Sequence, residues 1–321
     1  MTRLILIAVL ASALAPAQGL VFEGKSGPGK GKNIVLVAAD DEYRSEEALP
    51  QLAKILSTRH GFRCTVLFAI DPADGTIKPD HQTDIPGLEA LKNADLLILF
   101  ARFRDLPDAQ MQYFVDYFEA GKPIVAMRTA THSFNLKSSP TFARYSWNSK
   151  SPDGGFGRLV LGETWISHHG KHNVQSTRGV FAPGQAKHPI LSGIRDGEIW
   201  GPTDVYTVKN PLPGDSQPLV LGQVLEGMKP ADAAVDGPQN RPMLPVAWTK
   251  TYKGARIFTT TMGASEDLEN QGVRRMLVNA CYWTLGLRVP ARAKVDLVGA
   301  YHPTHFGFGT YVKGRRPDDY R

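Results

Sequence analysis

Short apolar runs alternate along the first 130 residues with segments whose apolar positions recur every three or four residues. The runs predict strands buried on both faces, at 33–39, 62–69, 95–100 and 123–127. The helical spacing predicts helices between these strands, over 45–60, 85–91 and 107–120. This alternation predicts an α/β fold with a mostly parallel, doubly wound sheet. Ligands of such sheets bind beyond the carboxyl ends of the strands.

The second half of the chain has a weaker pattern. Residues 129–176 are rich in Gly, Ser, Trp, Arg and His and show little periodicity, which is typical of a functional loop region. Apolar runs then predict strands at 205–208, 218–224, 244–249 and 256–261. A helix over 272–285 closes the domain, which we place at 33–287. Residues 288–321 combine Pro and Gly with aromatic residues and predict an irregular C-terminal arm along the surface.

The first 17 residues have the pattern of a secretory signal peptide. Arg3 is followed by an apolar run over 4–14 and by Ala15-Pro16-Ala17, a small-residue cleavage site. A membrane span needs about 20 apolar residues, so this run is too short to cross a bilayer. We expect cleavage, a flexible leader at 18–32, and a periplasmic or secreted protein without a membrane attachment. An uncleaved anchor is the alternative.

Charge and cysteine content narrow the class of partner. The net charge is +6, the charges are mixed along the chain, and no basic stripe with interleaved aromatics is present. We therefore expect no nucleic-acid partner. Cys64 and Cys281, the two cysteines, both lie in apolar segments, and we favour two buried thiols over a disulfide.

Charged residues follow three of the predicted strands. The loop after the first strand carries four carboxylates within seven residues, and from it we select Asp41 and Glu42 as catalytic candidates and Tyr43 as a substrate contact. Arg102 follows the third strand and Arg128 the fourth, and both are candidates for substrate binding. The alternatives are helix capping for the carboxylates and ion pairing with the acidic loop for the arginines.

Histidines and tryptophans concentrate in the irregular middle of the chain. His168, His169 and His172 fall within five residues and suit a divalent metal such as zinc, although their spacing matches no standard zinc motif. The alternative is a polar wall whose imidazoles bond to a sugar, and His169 is then a catalytic candidate. Trp147 and Trp165 offer faces on which a sugar can stack.

The segment Arg128-Thr129-Ala130-Thr131-His132 occupies the position of a nucleophile elbow. It contains neither the glycines nor the cysteine of the usual elbows. Thr129 or Thr131 would need His132 beside it as a base in order to attack a substrate. We therefore keep His132 as a catalytic candidate, and a threonine nucleophile as a minor alternative.

Taken together, these segments resemble the ThuA-like family, named for trehalose utilisation, within the class I glutamine amidotransferase-like superfamily. The resemblance covers about 33–287 and is carried by five stretches: NIVLVAADDEYRSEEALPQLA, PIVAMRTATHSF, HPILSGI, PVAWTKTYKGARIFTTTMG and RRMLVNACYWTLGL. It implies a flavodoxin-like three-layer αβα sandwich and a link to sugar metabolism. The superfamily places a cysteine at the elbow, where this chain has RTATH, so we do not expect glutamine hydrolysis by a thiolate.

The resemblance and the clustered residues together suggest an exported enzyme that acts on a small carbohydrate, either a sugar or a ketosugar derivative, with or without a metal. Two alternatives stay open at this point: a non-catalytic sugar-binding module, and a thiol-independent amidohydrolase. The first hypothesis requires histidines and carboxylates from distant segments to meet at one edge of the sheet.

Overall fold

The computed structural model describes residues 19–321 of the chain. Three α-helices form where the sequence pattern predicts them: α1 (Ser45–His60), α2 (Asp108–Glu119) and α3 (Gln271–Thr284). Twelve strands are present among these residues: β1 (Leu20–Phe22), β2 (Asn33–Ala39), β3 (Arg63–Phe68), β4 (Leu96–Ala101), β5 (Ile124–Met127), β6 (Ser167–His168), β7 (Thr177–Phe181), β8 (Ile199–Gly201), β9 (Tyr206–Thr207), β10 (Gln217–Val224), β11 (Leu244–Tyr252) and β12 (Ala255–Thr260).

Ten of the strands form one mixed sheet in the order β1-β3-β2-β4-β5-β12-β11-β10-β7-β8. Its centre is parallel, because β3, β2, β4, β5 and β12 are joined by parallel pairings. The strands beyond β12, and β1 at the other edge, pair antiparallel. β6 and β9 form a separate small ladder. The predicted α/β class with a flavodoxin-like sheet is confirmed.

Alternate residues of the central strands pack into two different cores, as the two-residue period of a strand requires. In β2, Ile34 and Leu36 belong to the core beneath α1 and α3, whereas Val35 and Val37 belong to the core beneath α2. Helices therefore cover both faces of the sheet, which gives three layers. Cys64 and Cys281 are both buried and unpaired.

Several segments differ from the sequence-based expectation. The 18–32 segment, expected to be a flexible leader, contains β1, which extends the sheet by pairing with β3. The helix expected at 85–91 is a 3-10 helix at Leu88–Asn93, because Pro86 and the left-handed Gly87 (φ 88°) precede it. The predicted signal peptide, 1–17, lies outside the described residues. Within 19–321, no helix combines the length and apolar character that a membrane crossing would need.

The C-terminal arm contains no strand and has a short 3-10 helix at Pro317–Tyr320. It runs past the start of α1, where the backbone N–H and the hydroxyl of Thr304 both donate to the Glu47 carboxylate. Further along, the N–H of Gly307 donates to the carbonyl of Glu42 at 2.8 Å. At Gly307 the arm therefore lies against the loop that follows β2, at the carboxyl edge of the parallel strands, before it continues to Arg321.

Candidate functional site

A pocket opens at the carboxyl ends of β2, β4 and β5, where the α/β architecture predicts a binding site. Segments from six parts of the chain contribute its wall: Glu42, Tyr43, Arg102, Phe103, Arg128, Thr129, His132, Trp165, His168, Asp204, Tyr206 and Phe308. Seven of the site residues selected from the sequence lie in this lining, and so does Thr129, the minor nucleophile candidate. Asp41, Trp147, His169 and His172 do not.

Asp40 fixes the conformation of the acidic loop. Its buried carboxylate accepts hydrogen bonds from the backbone N–H groups of Glu42 (2.8 Å) and Tyr43, and from the Thr129 hydroxyl (2.5 Å). Burial, together with the charge of Asp41, raises the pKa of Asp40. The role of Asp40 is to shape the loop so that Glu42 and Tyr43 face the pocket.

Arg102 forms ion pairs with the acidic loop, which was the alternative to substrate binding. Its Nη1 lies 3.1 Å from Oδ1 of Asp41, and its Nε lies 3.8 Å from Oε2 of Glu42. The guanidinium carbon lies over the rings of Phe103 and Phe308, at 4.6 and 4.7 Å from their centroids. Asp41 therefore holds Arg102 in place, and Arg102 itself faces the pocket.

Arg128 is fully buried and connects distant parts of the site. It donates to the carboxylate (3.1 Å) and the backbone carbonyl (2.9 Å) of Asp204, and to the carbonyl of Thr261 (2.6 Å). Its guanidinium also lies 4.1 Å from the ring centroid of Tyr43. Burial disfavours the charge, but Tyr43 and Asp204 outweigh that effect and raise the pKa of Arg128. These contacts hold the walls of the pocket together.

The histidine-rich segment reaches the acidic loop. Nδ1 of His172 lies 3.2 Å from Oδ1 of Asp204, and Nε2 of the same ring lies 3.5 Å from Oε1 of Glu42. The hydrogen bond with Asp204 raises the pKa of His172. Burial opposes ionisation of Asp204, yet His172 and Arg128 together lower the pKa of its carboxyl. Imidazole and carboxyl groups from distant segments therefore do meet at one edge of the sheet.

The three predicted metal ligands do not meet. His168 approaches Asp204 (Nδ1 to Oδ2, 3.6 Å), but Nε2 of His169 bonds to the carbonyl of Gln239 at 2.8 Å, outside the pocket. Among residues 19–321, no three or more His, Cys, Asp or Glu side chains form a group with metal-binding geometry. Glu42, His172 and Asp204 carry the donor types that zinc prefers, so metal binding stays a prediction for elemental analysis to test.

Glu42 is the pocket carboxyl with the most altered titration behaviour. Burial and the nearby charge of Asp40 raise its pKa to about 7, and Arg102, Arg128 and His172 offset only part of that rise. In the described chain, its carboxyl oxygens accept no hydrogen bond. A carboxyl with this pKa is partly protonated at neutral pH and can serve as a general acid.

His132 is held in one tautomer by a chain of hydroxyl groups. Its Nδ1 lies 3.2 Å from Oγ1 of Thr131, which lies 2.8 Å from the hydroxyl of Tyr206. Because the Tyr206 hydroxyl donates its proton to the backbone carbonyl of Arg128, it must accept from Thr131, and Thr131 must accept from Nδ1–H of His132. The Nε2 lone pair is then left for the pocket. Burial, reinforced by the charges of Arg102 and Arg128, lowers the pKa of His132 well below its ordinary value.

Backbone strain is concentrated around the same pocket. Within 19–321, five residues other than glycine have left-handed φ angles. Four of them belong to the loops that build the site: Arg44 (59°), Phe103 (48°), Arg128 (45°) and Asn173 (57°). Such conformations cost about 1–3 kcal/mol each and are enriched at functional sites.

The aromatic residues divide into an inner and an outer set. Trp165 lines the pocket and packs on His132, with ring centroids 5.6 Å apart. Trp147 lies behind it and supports Trp165 and Phe103, at 6.1 and 5.3 Å. The predicted stacking role therefore fits the position of Trp165, while Trp147 is a supporting residue.

Four lining residues were not selected from the sequence: Phe103, Asp204, Tyr206 and Phe308. Phe103 directly follows Arg102 at the end of β4, so the strand-end rule could have found it. Asp204 and Tyr206 lie at the start of the run predicted as a strand at 205–208, away from the histidine-rich region, and Phe308 lies in the arm that was expected to pack along the surface. No local pattern marked these three residues.

The fold and the site define an α/β protein with a strained, polar and aromatic pocket at the carboxyl edge of a flavodoxin-like sheet. The family model described as "ThuA: Trehalose utilisation" matches residues 35–284, and the chain therefore belongs to the ThuA family. No curated protein sequence matches the chain significantly.

Solved structures support the fold. A ThuA-like protein from Parabacteroides merdae matches with a TM-score of 0.51 and 13% identity, over 87% of this chain and 98% of the other. A second ThuA-like protein, from Bacteroides uniformis, matches with a TM-score of 0.49 and 18% identity, over 82% and 94% of the respective chains. At 13% identity, the first match supports the architecture alone. The second match, with a TM-score of 0.49, supports no conclusion.

Proposed function

We propose that the chain is an enzyme of carbohydrate metabolism that transfers protons on a sugar or ketosugar derivative, with His132 as general base and Glu42 as general acid. The observation that carries the proposal is the chain of hydroxyl groups that leaves the Nε2 lone pair of a neutral His132 facing the pocket. Glu42 lines the same pocket and retains a proton near neutral pH. Both environments favour the uncharged form of the group, so that an imidazole base and a carboxyl acid are present in one pocket near pH 7, as acid–base catalysis requires.

For a ketosugar, the proposed step is enolisation. Nε2 of His132 takes a proton from the carbon next to the carbonyl, and the electron pair of that C–H bond becomes the C=C bond of the enol. The carbonyl oxygen receives the proton of Glu42, while Arg102 stabilises negative charge that develops on it. The reverse step returns a proton to carbon.

The geometry favours this proposal over the two alternatives. A non-catalytic sugar-binding module needs no shifted carboxyl or imidazole pKa, whereas Glu42 and His132 both have one. A threonine nucleophile needs a hydroxyl that a base can deprotonate. The Thr131 hydroxyl accepts from His132 and donates to Tyr206, so His132 cannot deprotonate it, and the Thr129 hydroxyl bonds to Asp40 and to the carbonyl of Ala101 rather than to His132.

We further propose that the family's description, trehalose utilisation, extends to this chain as a role in the metabolism of small carbohydrates. The signal-like pattern at 1–17 supports export to the periplasm or the medium. The aromatic residues of the lining support a sugar ligand, because the C–H faces of a pyranose are apolar while its hydroxyl edges need polar partners.

Hydrogen–deuterium exchange in D₂O tests the proton transfer without knowledge of the final product. Ketosugars are incubated with the protein, and loss of the proton next to the carbonyl is followed by NMR. We expect exchange that slows as pH rises through about 7, because Glu42 must be protonated to act as the acid. His132→Gln should slow exchange by about 10²–10⁴-fold.

Two further variants complete the design. Glu42→Gln should remove the fall in rate around pH 7, because the amide does not titrate. His302→Gln, at an exposed histidine of the C-terminal arm, is the matched control and should exchange as the wild type does. Absence of exchange across the panel, or a His132→Gln variant that is as fast as the wild type, would overturn the proposal.

A further inference from the structure

We infer that the C-terminal arm completes the binding site and that Phe308 selects the ligand, by stacking on the apolar face of a ring-form sugar. This inference rests on the proposed function, since it takes the ligand to be a carbohydrate. It adds a specificity-determining residue that acts independently of the acid–base pair.

The arm is bonded to the loop after β2 by a buried arginine. Arg44 donates from Nη2 to the carbonyl of Gly307 (3.0 Å) and to the hydroxyl of Thr310, and from Nε to the hydroxyl of Thr304 (3.2 Å). Its side chain is fully buried, and its backbone adopts a left-handed φ of 59°. A buried guanidinium that donates to the arm at several points fixes the position of this segment relative to Glu42.

Phe306 anchors the arm two residues before the pocket. Its buried ring packs against Tyr43 and His172, with centroid distances of 5.3 Å in each case. The N–H of Gly307 then bonds to the carbonyl of Glu42. These contacts bring the next residue, Phe308, to the mouth of the pocket.

Phe308 is exposed where folding alone would favour burial. Its exposed fraction is 56%, and one contact of its ring is the guanidinium of Arg102, 4.7 Å from the centroid. Because Phe308 lines the pocket and keeps its ring open to solvent, the ring is available to stack on a ligand. The C–H face of a pyranose matches such a ring, whereas an open-chain polyol offers no equivalent flat face.

Titration calorimetry with trehalose, glucose and sorbitol tests this inference, because sorbitol carries the hydroxyl groups of glucose without a closed ring. We expect the wild type to bind the ring sugars more tightly than sorbitol. Phe308→Ala should weaken binding of the ring sugars by about tenfold and reduce their advantage over sorbitol. Phe308→Trp should retain the preference, and Val312→Ala, at an exposed apolar residue of the same arm, should bind as the wild type does.

The outcomes separate the two proposals. If the wild type binds ring sugars and Phe308→Ala binds them equally well, the role of Phe308 is overturned while the acid–base proposal stands. If the wild type binds none of the three sugars and also fails to exchange protons on ketosugars, both are overturned. Unchanged circular dichroism and melting temperature of Phe308→Ala would show that a loss of binding is local.

Discussion

The two walls of the pocket are built in different ways. The first wall consists of residues that follow β2, β4 and β5: Glu42, Tyr43, Arg102, Phe103, Arg128, Thr129 and His132. The second wall consists of Trp165, His168, Asp204, Tyr206 and Phe308, which come from the small β6–β9 ladder, the segments beside it and the C-terminal arm. Parallel strands fix the position of the first wall, and only tertiary contacts fix the second.

This difference locates the weak points of the site. The first wall has local support, such as the bonds that Asp40 accepts from the backbone of its own loop. The second wall depends on a few contacts with the first: the ion pair of Arg128 with Asp204, the hydroxyl of Tyr206, and the bonds of Arg44 to the arm. Substitutions at contacts between the walls should therefore affect both folding and the geometry of the pocket.

Loss of the charged contact between the walls should have the largest effect on the free energy of unfolding. Arg128→Met leaves the Asp204 carboxylate, 1% exposed, without the guanidinium that compensates its charge. We expect the free energy of unfolding to fall by about 3–5 kcal/mol, measured by urea denaturation.

The double variant Arg128→Met/Asp204→Leu is the control for this substitution. Removing both charges together should recover much of the loss, because no uncompensated carboxylate remains. A single variant within about 1 kcal/mol of the wild type would mean that the two walls hold together without this pair.

A second prediction concerns a buried carboxyl of α1, the helix that follows the acidic loop of the first wall. Glu46 is buried in the first turn of α1, and neither of its carboxyl oxygens has a hydrogen-bond partner in the described chain. Burial raises its pKa to about 8. Its contribution to stability is therefore fully present below the unfolded pKa of about 4.5 and is lost as pH rises through the folded value.

In the Glu46→Gln variant, the side chain at position 46 does not titrate. Relative to the wild type, its free energy of unfolding should rise between pH 4.5 and 8 by about 4 kcal/mol and then level off. Chemical denaturation at a series of pH values measures the difference, with Glu89→Gln as a control at an exposed glutamate. A difference that does not change with pH would contradict the assignment of a buried, protonated carboxyl.

The parallel half of the fold could be predicted from sequence because its signals are local. The helix expected at 45–60 forms as Ser45–His60, with Glu46 and Glu47 in its first turn and Gly61 in a left-handed conformation at its end. Strands such as Asn33–Ala39 are apolar throughout because helices cover both faces. β1 was missed because three residues beside a glycine-rich segment carry too little pattern.

How much of the site could be predicted from sequence differed between its two walls. Glu42, Arg102 and His132 follow strands, so the strand-end rule selected them. Asp204 pairs with Arg128 across 76 positions of sequence, and no local pattern encodes that distance. His169 resembled its neighbours in the sequence, but the fold directs its ring to Gln239. Chemistry that depends on long-range contacts is visible only once the chain is folded.

The smallest effect on stability should come from the neutral contact between the walls. Tyr206→Phe removes the hydroxyl that accepts from Thr131 and donates to the carbonyl of Arg128, at a cost of about 1 kcal/mol in urea denaturation. The hydroxyl of Thr131 is then free to donate to Nδ1 of His132, which moves the imidazole proton to Nε2. Nitrogen-15 NMR of the His132 ring should report this change of tautomer, and proton exchange on ketosugars should slow with little change in KM. An unchanged tautomer would show that Tyr206 does not orient the proposed base.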